Sequence, residues 1–86
     1  MTEKTVRISN PTGLHARPAA EFVREAGNYS SQIYIKKADK QVDAKSILGV
    51  MSLSVRQGDE ITITADGSDE TQAVDNLTKV LSALEG

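Results

Sequence analysis

Asn10-Pro11-Thr12-Gly13-Leu14-His15-Ala16-Arg17-Pro18-Ala19-Ala20 is the stretch where a strand gives way to a helix. Pro11 and Gly13 punctuate a turn. Pro18 lacks an N–H and fits the first helical turn, where backbone donors have no intrahelical partner. An alanine-rich amphipathic run follows. These signals place a helix start near Ala16 and put His15, the only histidine of the chain, at or beside its N-cap. The N–H groups of Ala16 and Arg17 should then surround the ring. Unpaired donors and the helix dipole both favour an anion at such a terminus. Arg17 adds a guanidinium fork suited to phosphate oxygens, in a position where a cation opposes the dipole. The stretch reads as an imidazole nucleophile within a phosphate cradle. The plain alternative, a capping or surface histidine, is the commoner fate of a lone His, and Gly13, Arg17 and Pro18 together weigh against it. The chain has no second histidine and no cysteine, which argues against a metal site.

Working outward, Thr2 to Ile8 reads as a strand with Val6 and Ile8 inward. The first helix is expected from Ala16 to Ala26, its buried face formed by Ala16, Ala19, Ala20, Val23 and Ala26. Phe22 falls at the margin of that face, with Glu21, Arg24 and Glu25 largely opposite. Gln32 to Lys37 alternates as a strand, Ala38-Asp39-Lys40 turns, and Gln41 to Asp43 is a weak second arm suited to a sheet edge. Ser46 is a good N-cap for a short helix from Ile47 to Leu53. Its apolar residues do not fit one stripe. Val50 and Leu53 suit the core, which leaves Ile47, Leu48 and Met51 as a partly exposed docking patch. Glu60 to Ala65 is the clearest strand, with Thr62 and Thr64 facing out. The last helix begins near Ser68 or Asp69, with Asp69 and Glu70 at the positive end of its dipole. It carries a continuous apolar face through Ala73, Val74, Leu77, Val80, Leu81 and Leu84. The order βαββαβα, with amphipathic helices that need a shared apolar surface, predicts an α+β open-faced β-sandwich with three helices on one face of the sheet.

At 86 residues the chain is expected to form a single domain spanning 1–86. A chain this short buries a little over ~60% of the surface its unfolded form exposes, so it builds one modest core. It has no cysteine to supplement that core. A net charge of −2 and only Phe22, Tyr29 and Tyr34 as stacking residues argue against a nucleic-acid partner. No apolar run approaches the ~20 residues of a membrane span. Met1-Thr2-Glu3-Lys4-Thr5 leads straight into a strand without an apolar leader, so a cytoplasmic location is expected.

Thr12-Gly13-Leu14-His15-Ala16-Arg17-Pro18-Ala19 resembles the active-site signature of the HPr family, the histidine-containing phosphocarriers of the bacterial sugar phosphotransferase system. Lys45-Ser46-Ile47-Leu48-Gly49-Val50-Met51-Ser52-Leu53 resembles that family's regulatory serine region. Their separation, the element order and the length also fit, so the resemblance covers essentially the whole chain. It implies a four-stranded antiparallel sheet in the order first, fourth, second, third. It implies a monomeric carrier without metal or cofactor, a substrate of its partners and not an enzyme. Enzyme I, phosphorylated by phosphoenolpyruvate, would pass the phosphoryl group to Nδ1 of His15, and the chain would pass it to IIA proteins or domains. Ala16 and Arg17 would bind the phosphoryl oxygens. Ser46 would be the target of an HPr kinase/phosphorylase, the phosphoserine form serving a catabolite-control transcription factor. Two other readings stay open here. One is a regulatory module in which Ser46 matters more than His15, and the other is a carrier of the parallel nitrogen-related system.

Overall fold

Glu60-Ile61-Thr62-Ile63-Thr64-Ala65-Asp66 alternates apolar and threonine residues, the period of a strand with one face buried. In the computed structural model, which describes residues 1–84, this segment is one of the two inner strands of a four-stranded sheet. The elements in order are β1 (Thr2–Arg7), α1 (Arg17–Ala26), β2 (Gln32–Lys37), β3 (Lys40–Asp43), α2 (Ile47–Ser52), β4 (Glu60–Asp66) and α3 (Glu70–Ser82). The sheet order is β1-β4-β2-β3 with every pair antiparallel, as the resemblance implies. Ile63 of β4 stands opposite Lys4 of β1 and Ile35 of β2, and Ala65 stands opposite Ile33. The apolar members of these rows face the helices, and one continuous core joins them to Phe22, Val74 and Leu77. Lys4 shares that inward side yet lies exposed at the β1 edge, where an inward-pointing charge discourages pairing with a further strand.

Four local readings are corrected by the fold. α1 starts at Arg17, and Ala16 is its N-cap with φ 53° and ψ −116°. The Ala16 carbonyl already accepts the first helical bond from Ala20 N at 3.0 Å, although its own dihedrals are not helical. The buried face of α1 is Pro18, Ala19, Phe22 and Ala26, so Phe22 is its centre and not its margin. Ala16 and Ala20 are exposed, and Val23 is half-buried. Alanine is nearly indifferent to burial, so the large ring decides which way the helix turns. Thr64 lies on the open face of the sheet but is buried. It sits on an inner strand between Glu3 and Tyr34, and its hydroxyl donates to Glu3 Oε2 at 3.2 Å. Strand ends also shift: β1 stops at Arg7 while Ile8 enters the core, and β3 begins at Lys40.

Polar clamps hold the end of the molecule farthest along β4. Asp69, the N-cap residue of α3, makes no side-chain cap bond to its own helix. Its carboxylate accepts instead from Ser30 N at 2.9 Å, Ser31 N at 3.0 Å and the Ser31 hydroxyl. These bonds, the Ser31 hydroxyl foremost, lower the Asp69 pKa. Glu70 accepts from the terminal ammonium at 2.8 Å, from the Thr2 hydroxyl at 2.6 Å and from Gly67 N at 3.3 Å, tying β1 to α3. The ammonium bond first, then those of Thr2 and Gly67, lower the Glu70 pKa from 4.5 to about 2.

A carboxylate whose folded pKa is depressed stabilises the fold above its unfolded value, and that contribution disappears as pH falls through the folded value. The Glu70 contribution is therefore full above pH 4.5 and is lost between there and about 2. Urea midpoints of Glu70→Gln, followed from neutral pH into acid, should fall less steeply across that window than those of the unsubstituted chain.

Candidate functional site

The turn after β1 is built from the backbone outward. Asn10, almost fully buried, donates from Nδ2 to the Gly13 carbonyl at 2.8 Å, and Gly13 N donates back to the Asn10 carbonyl at 3.1 Å. Gly13 has φ 62° and lies flat on the loop between α2 and β4. A Cβ at this position would collide with the Val55 carbonyl oxygen and stand 2.8 Å from the Arg56 Cα. Leu14 N donates to that Val55 carbonyl at 3.1 Å, and the Leu14 side chain is buried in the core. Next in the chain, His15 is exposed. Ala16 then takes its positive φ, which costs a non-glycine residue of order 1–3 kcal/mol. Pro18 and Ala19 return the chain to the core.

Residue 16 is an alanine, so α1 begins with no side-chain cap bond, and no acidic residue lies in its first turn. Neither its N-cap residue nor its first turn therefore offers a group to offset the positive end beside His15. His15, Ala16 and Arg17 line one open cleft together with Thr12, Pro18, Glu21 and Ala83. His15 also lines a second cleft, with Met51, Ser54, Val55, Arg56, Thr12 and Leu14. His15 lines both clefts, sharing one with Ala16 and Arg17 and the other with Met51. Ser46, Ile47 and Leu48 line neither cleft.

The Arg17 side chain is 90% exposed, and its Nε stands 3.6 Å from Glu21 Oε1. Residue types alone do not mark Glu21 as a site residue, and its i,i+4 spacing from Arg17 is the sequence signal for the pair. Arg56 and Ser54 also went unmarked, because only the packing of two distant loops brings them to His15. Ser46 caps α2, accepting from Gly49 N at 3.1 Å. Leu48 is 79% and Ile47 38% exposed, while Met51 is half-buried against the core. Val50 and Leu53 are buried, as their spacing requires.

An exposed imidazole before an uncapped helix, on an open-faced sandwich, is the form of a phosphoryl-carrier domain. Comparison with known proteins agrees. The family model described as the PTS HPr component phosphorylation site matches residues 2–83. The chain is 49% identical over 77 residues to the HPr-like protein Crh of Halalkalibacterium halodurans, covering 90% of this chain and 92% of the relative. It is 45% identical over 85 residues to the phosphocarrier protein HPr of Haemophilus influenzae, covering 99% of this chain and all of the relative. A crystal structure of HPr from Thermoanaerobacter tengcongensis superposes with a TM-score of 0.94 at 49% identity, covering 96% of this chain and 93% of that one. A second structure of that protein, described as an HPr dimer, gives 0.78 at the same identity, covering 96% and 95%. The chain belongs to the HPr family, the phosphocarriers of the phosphotransferase system. It is a carrier and not a catalyst.

Gly13→Ala should cost the fold about 1–3 kcal/mol, because it combines a positive φ with a collision against the α2–β4 loop. Denaturant unfolding measures the loss. Amide chemical shifts should move at Leu14, His15 and Val55 more than at α3.

Proposed function

We propose that His15 is the phosphoryl acceptor, loaded by Enzyme I and unloaded by IIA proteins or domains. The observation that carries this reading is the exposed ring set directly before an α1 terminus with neither cap nor acid. The lone pair of Nδ1 attacks phosphorus as the donor's bond to phosphorus breaks, its electron pair leaving with the donor. Handing the group on reverses these events. Ala16 and Arg17 present backbone N–H groups toward the phosphoryl oxygens, and the Arg17 guanidinium supplies charge. No cofactor takes part. The backbone lock at Gly13 and Leu14 supports this role, since it fixes the ring's anchor while leaving the ring accessible to large partners.

His15→Ala should abolish acid-labile phosphate formed with Enzyme I and phosphoenolpyruvate, with circular dichroism unchanged. Acid-labile phosphate persisting on that variant would place the acceptor elsewhere. Arg17→Ala should slow transfer by about one to two decades, the worth of a charge-assisted bond of roughly 1.5–3 kcal/mol made mainly in the transition state. Arg17→Lys should recover only part of the loss, because the planar fork is gone.

Ser46 is proposed as a second, regulatory phosphorylation site beside a docking surface formed by Ile47, Leu48 and Met51. Similarity to Crh, whose Bacillus subtilis form is described as the catabolite repression HPr, supports it. An HPr kinase/phosphorylase would add the group, and a catabolite-control transcription factor would read it. A phosphate adds a charge of about −1.5 to −2 next to two exposed apolar side chains. A partner that buries Leu48 would have to desolvate or repel that charge, so the penalty falls on docking and not on His15. The chain would work in the cytoplasm, and among the described residues no helix is long and apolar enough to cross a membrane. The resemblance implies a monomer, whereas three similar structures, one of HPr and two of Crh, are described as dimers.

Ser46→Asp and Leu48→Asp should each raise the Enzyme I concentration at half-saturation of His15 phosphorylation, with melting temperatures close to that of the parent chain. Unchanged half-saturation, or activity lost only in step with folded structure, would remove this account of Ser46.

A further inference from the structure

We infer that Glu21 is a positioning residue that sets how tightly His15 holds its phosphoryl group, by competing with that group for Arg17. The inference rests on the carrier reading of His15. It starts from the ion pair between Arg17 Nε and Glu21 Oε1 at 3.6 Å, one helical turn apart on α1. Glu21 lines the same cleft as His15 and Arg17, and among the described residues it is the one carboxylate lining it. The first turn of α1 carries no acid of its own. Among the described residues, the carboxylate that meets Arg17 therefore comes from one turn further along, on the side of the helix that faces the cleft.

At 3.6 Å the contact is longer than a strong charge-assisted hydrogen bond, and both side chains are substantially exposed, at 90% and 40%. Such a pair is weak and exchangeable. A phosphoryl group on Nδ1 brings a dianion with three acceptor oxygens into the cleft. The guanidinium must then turn its fork from Glu21 toward phosphate. Whatever the Arg17–Glu21 pair contributes in the unloaded chain is given up in the loaded one. Glu21 thus subtracts from the stability of the phosphorylated state and keeps the group transferable. A carrier that gripped its phosphoryl group with an unopposed arginine would load readily and unload poorly.

The test is a competition at equilibrium. Wild-type and Glu21→Gln chains, one of them labelled with 15N, are mixed with catalytic Enzyme I and a limiting supply of phosphoenolpyruvate. Intact-mass spectrometry reads the phosphorylated fraction of each once it is constant. Enzyme I only exchanges the group between the chains, so differences in docking change the approach to equilibrium and not the final partition. The phosphoryl group should favour Glu21→Gln by about two- to fivefold, the scale of an exposed ion pair. Glu21→Asp, which keeps the charge, should lie nearer the wild type. When both chains also carry Arg17→Ala, the preference should vanish, which a merely structural effect of residue 21 would not produce. Equal partition between wild type and Glu21→Gln overturns the inference while leaving the carrier reading intact. A preference undiminished by Arg17→Ala also overturns it, because Glu21 would then act on phosphate directly. A wild-type chain that acquires no phosphate removes the carrier reading, and this inference with it.

Discussion

The bond from Leu14 N–H to the Val55 carbonyl, with Gly13 pressed flat against the Val55–Arg56 backbone, is the contact on which the site depends. It joins two loops some forty residues apart in sequence, directly before the exposed ring of His15. A reacting side chain on a surface loop faces conflicting demands, since exposure gives access and also mobility. Here the ring is exposed, but its neighbours are not. Leu14 before it is anchored in the core, and Pro18 and Ala19 after it return there at once. Only the short span carrying His15, Ala16 and Arg17 stands clear of the body. The positive φ of Ala16 lies inside that span. Its strain persists because the anchors on either side over-determine the backbone.

The rest of the fold supplies that rigidity at small scale. A domain of this size has little core to draw on. Burying a side chain such as Phe22 contributes roughly 1.5–3 kcal/mol, and the ring also fixes the rotation of α1 about its axis. Polar contacts then tie element ends that the core cannot reach. The Tyr29 hydroxyl donates to Glu25 Oε2 and accepts from Asn76 Nδ2, each at 2.6 Å, bridging α1 to α3. Lys37 Nζ meets Asp59 Oδ2 at 2.9 Å, and that carboxylate also accepts from Arg56 N at 2.8 Å. The Arg56 N–H first, then Lys37, lower the Asp59 pKa. This clamp braces the loop onto which Gly13 is laid, so a bond beneath the α2–β4 connection also steadies His15.

Much of this arrangement is legible in the sequence because it is periodic or local. β4 and α3 announce themselves by strict alternation and by an unbroken apolar stripe. Ser46 is a cap by residue type and place, and the glycine at position 13 marks a turn that needs positive φ. What escaped is decided by tertiary contact. The alanines of α1 suggest a face but do not choose it, and Phe22 does. Thr64 reads as outward in a strand pattern, yet an inner strand has neighbours on both sides that cover even its open face. Asp69 looks like an ordinary cap, while its carboxylate bonds Ser30 and Ser31 instead. Around His15, residue types gave the imidazole and the guanidinium. The ion pair with Glu21, and the second cleft with Ser54 and Arg56, require the coordinates of several elements at once.

α2 shows why a small protein can leave large apolar side chains in water. Its six residues cannot bury all of their apolar groups, and propensity alone would not hold so short a helix. It is held at its ends instead. Ser46 caps the first turn, and Val50 and Leu53 anchor the underside. Lys37 Nζ donates to the Ser54 carbonyl at 2.8 Å and Lys40 Nζ to the Ser52 carbonyl at 3.4 Å, placing cations where the dipole favours them. Ser54 itself takes φ 53°, a left-handed residue just past the C-cap where glycine would be unstrained. With its ends secured, the outer face of α2 is relieved of any structural duty. Leu48 can then remain exposed without cost to the backbone that frames His15. In the proposed carrier role that separation has a use, because a docking surface on α2 could vary while the backbone around His15 stays fixed.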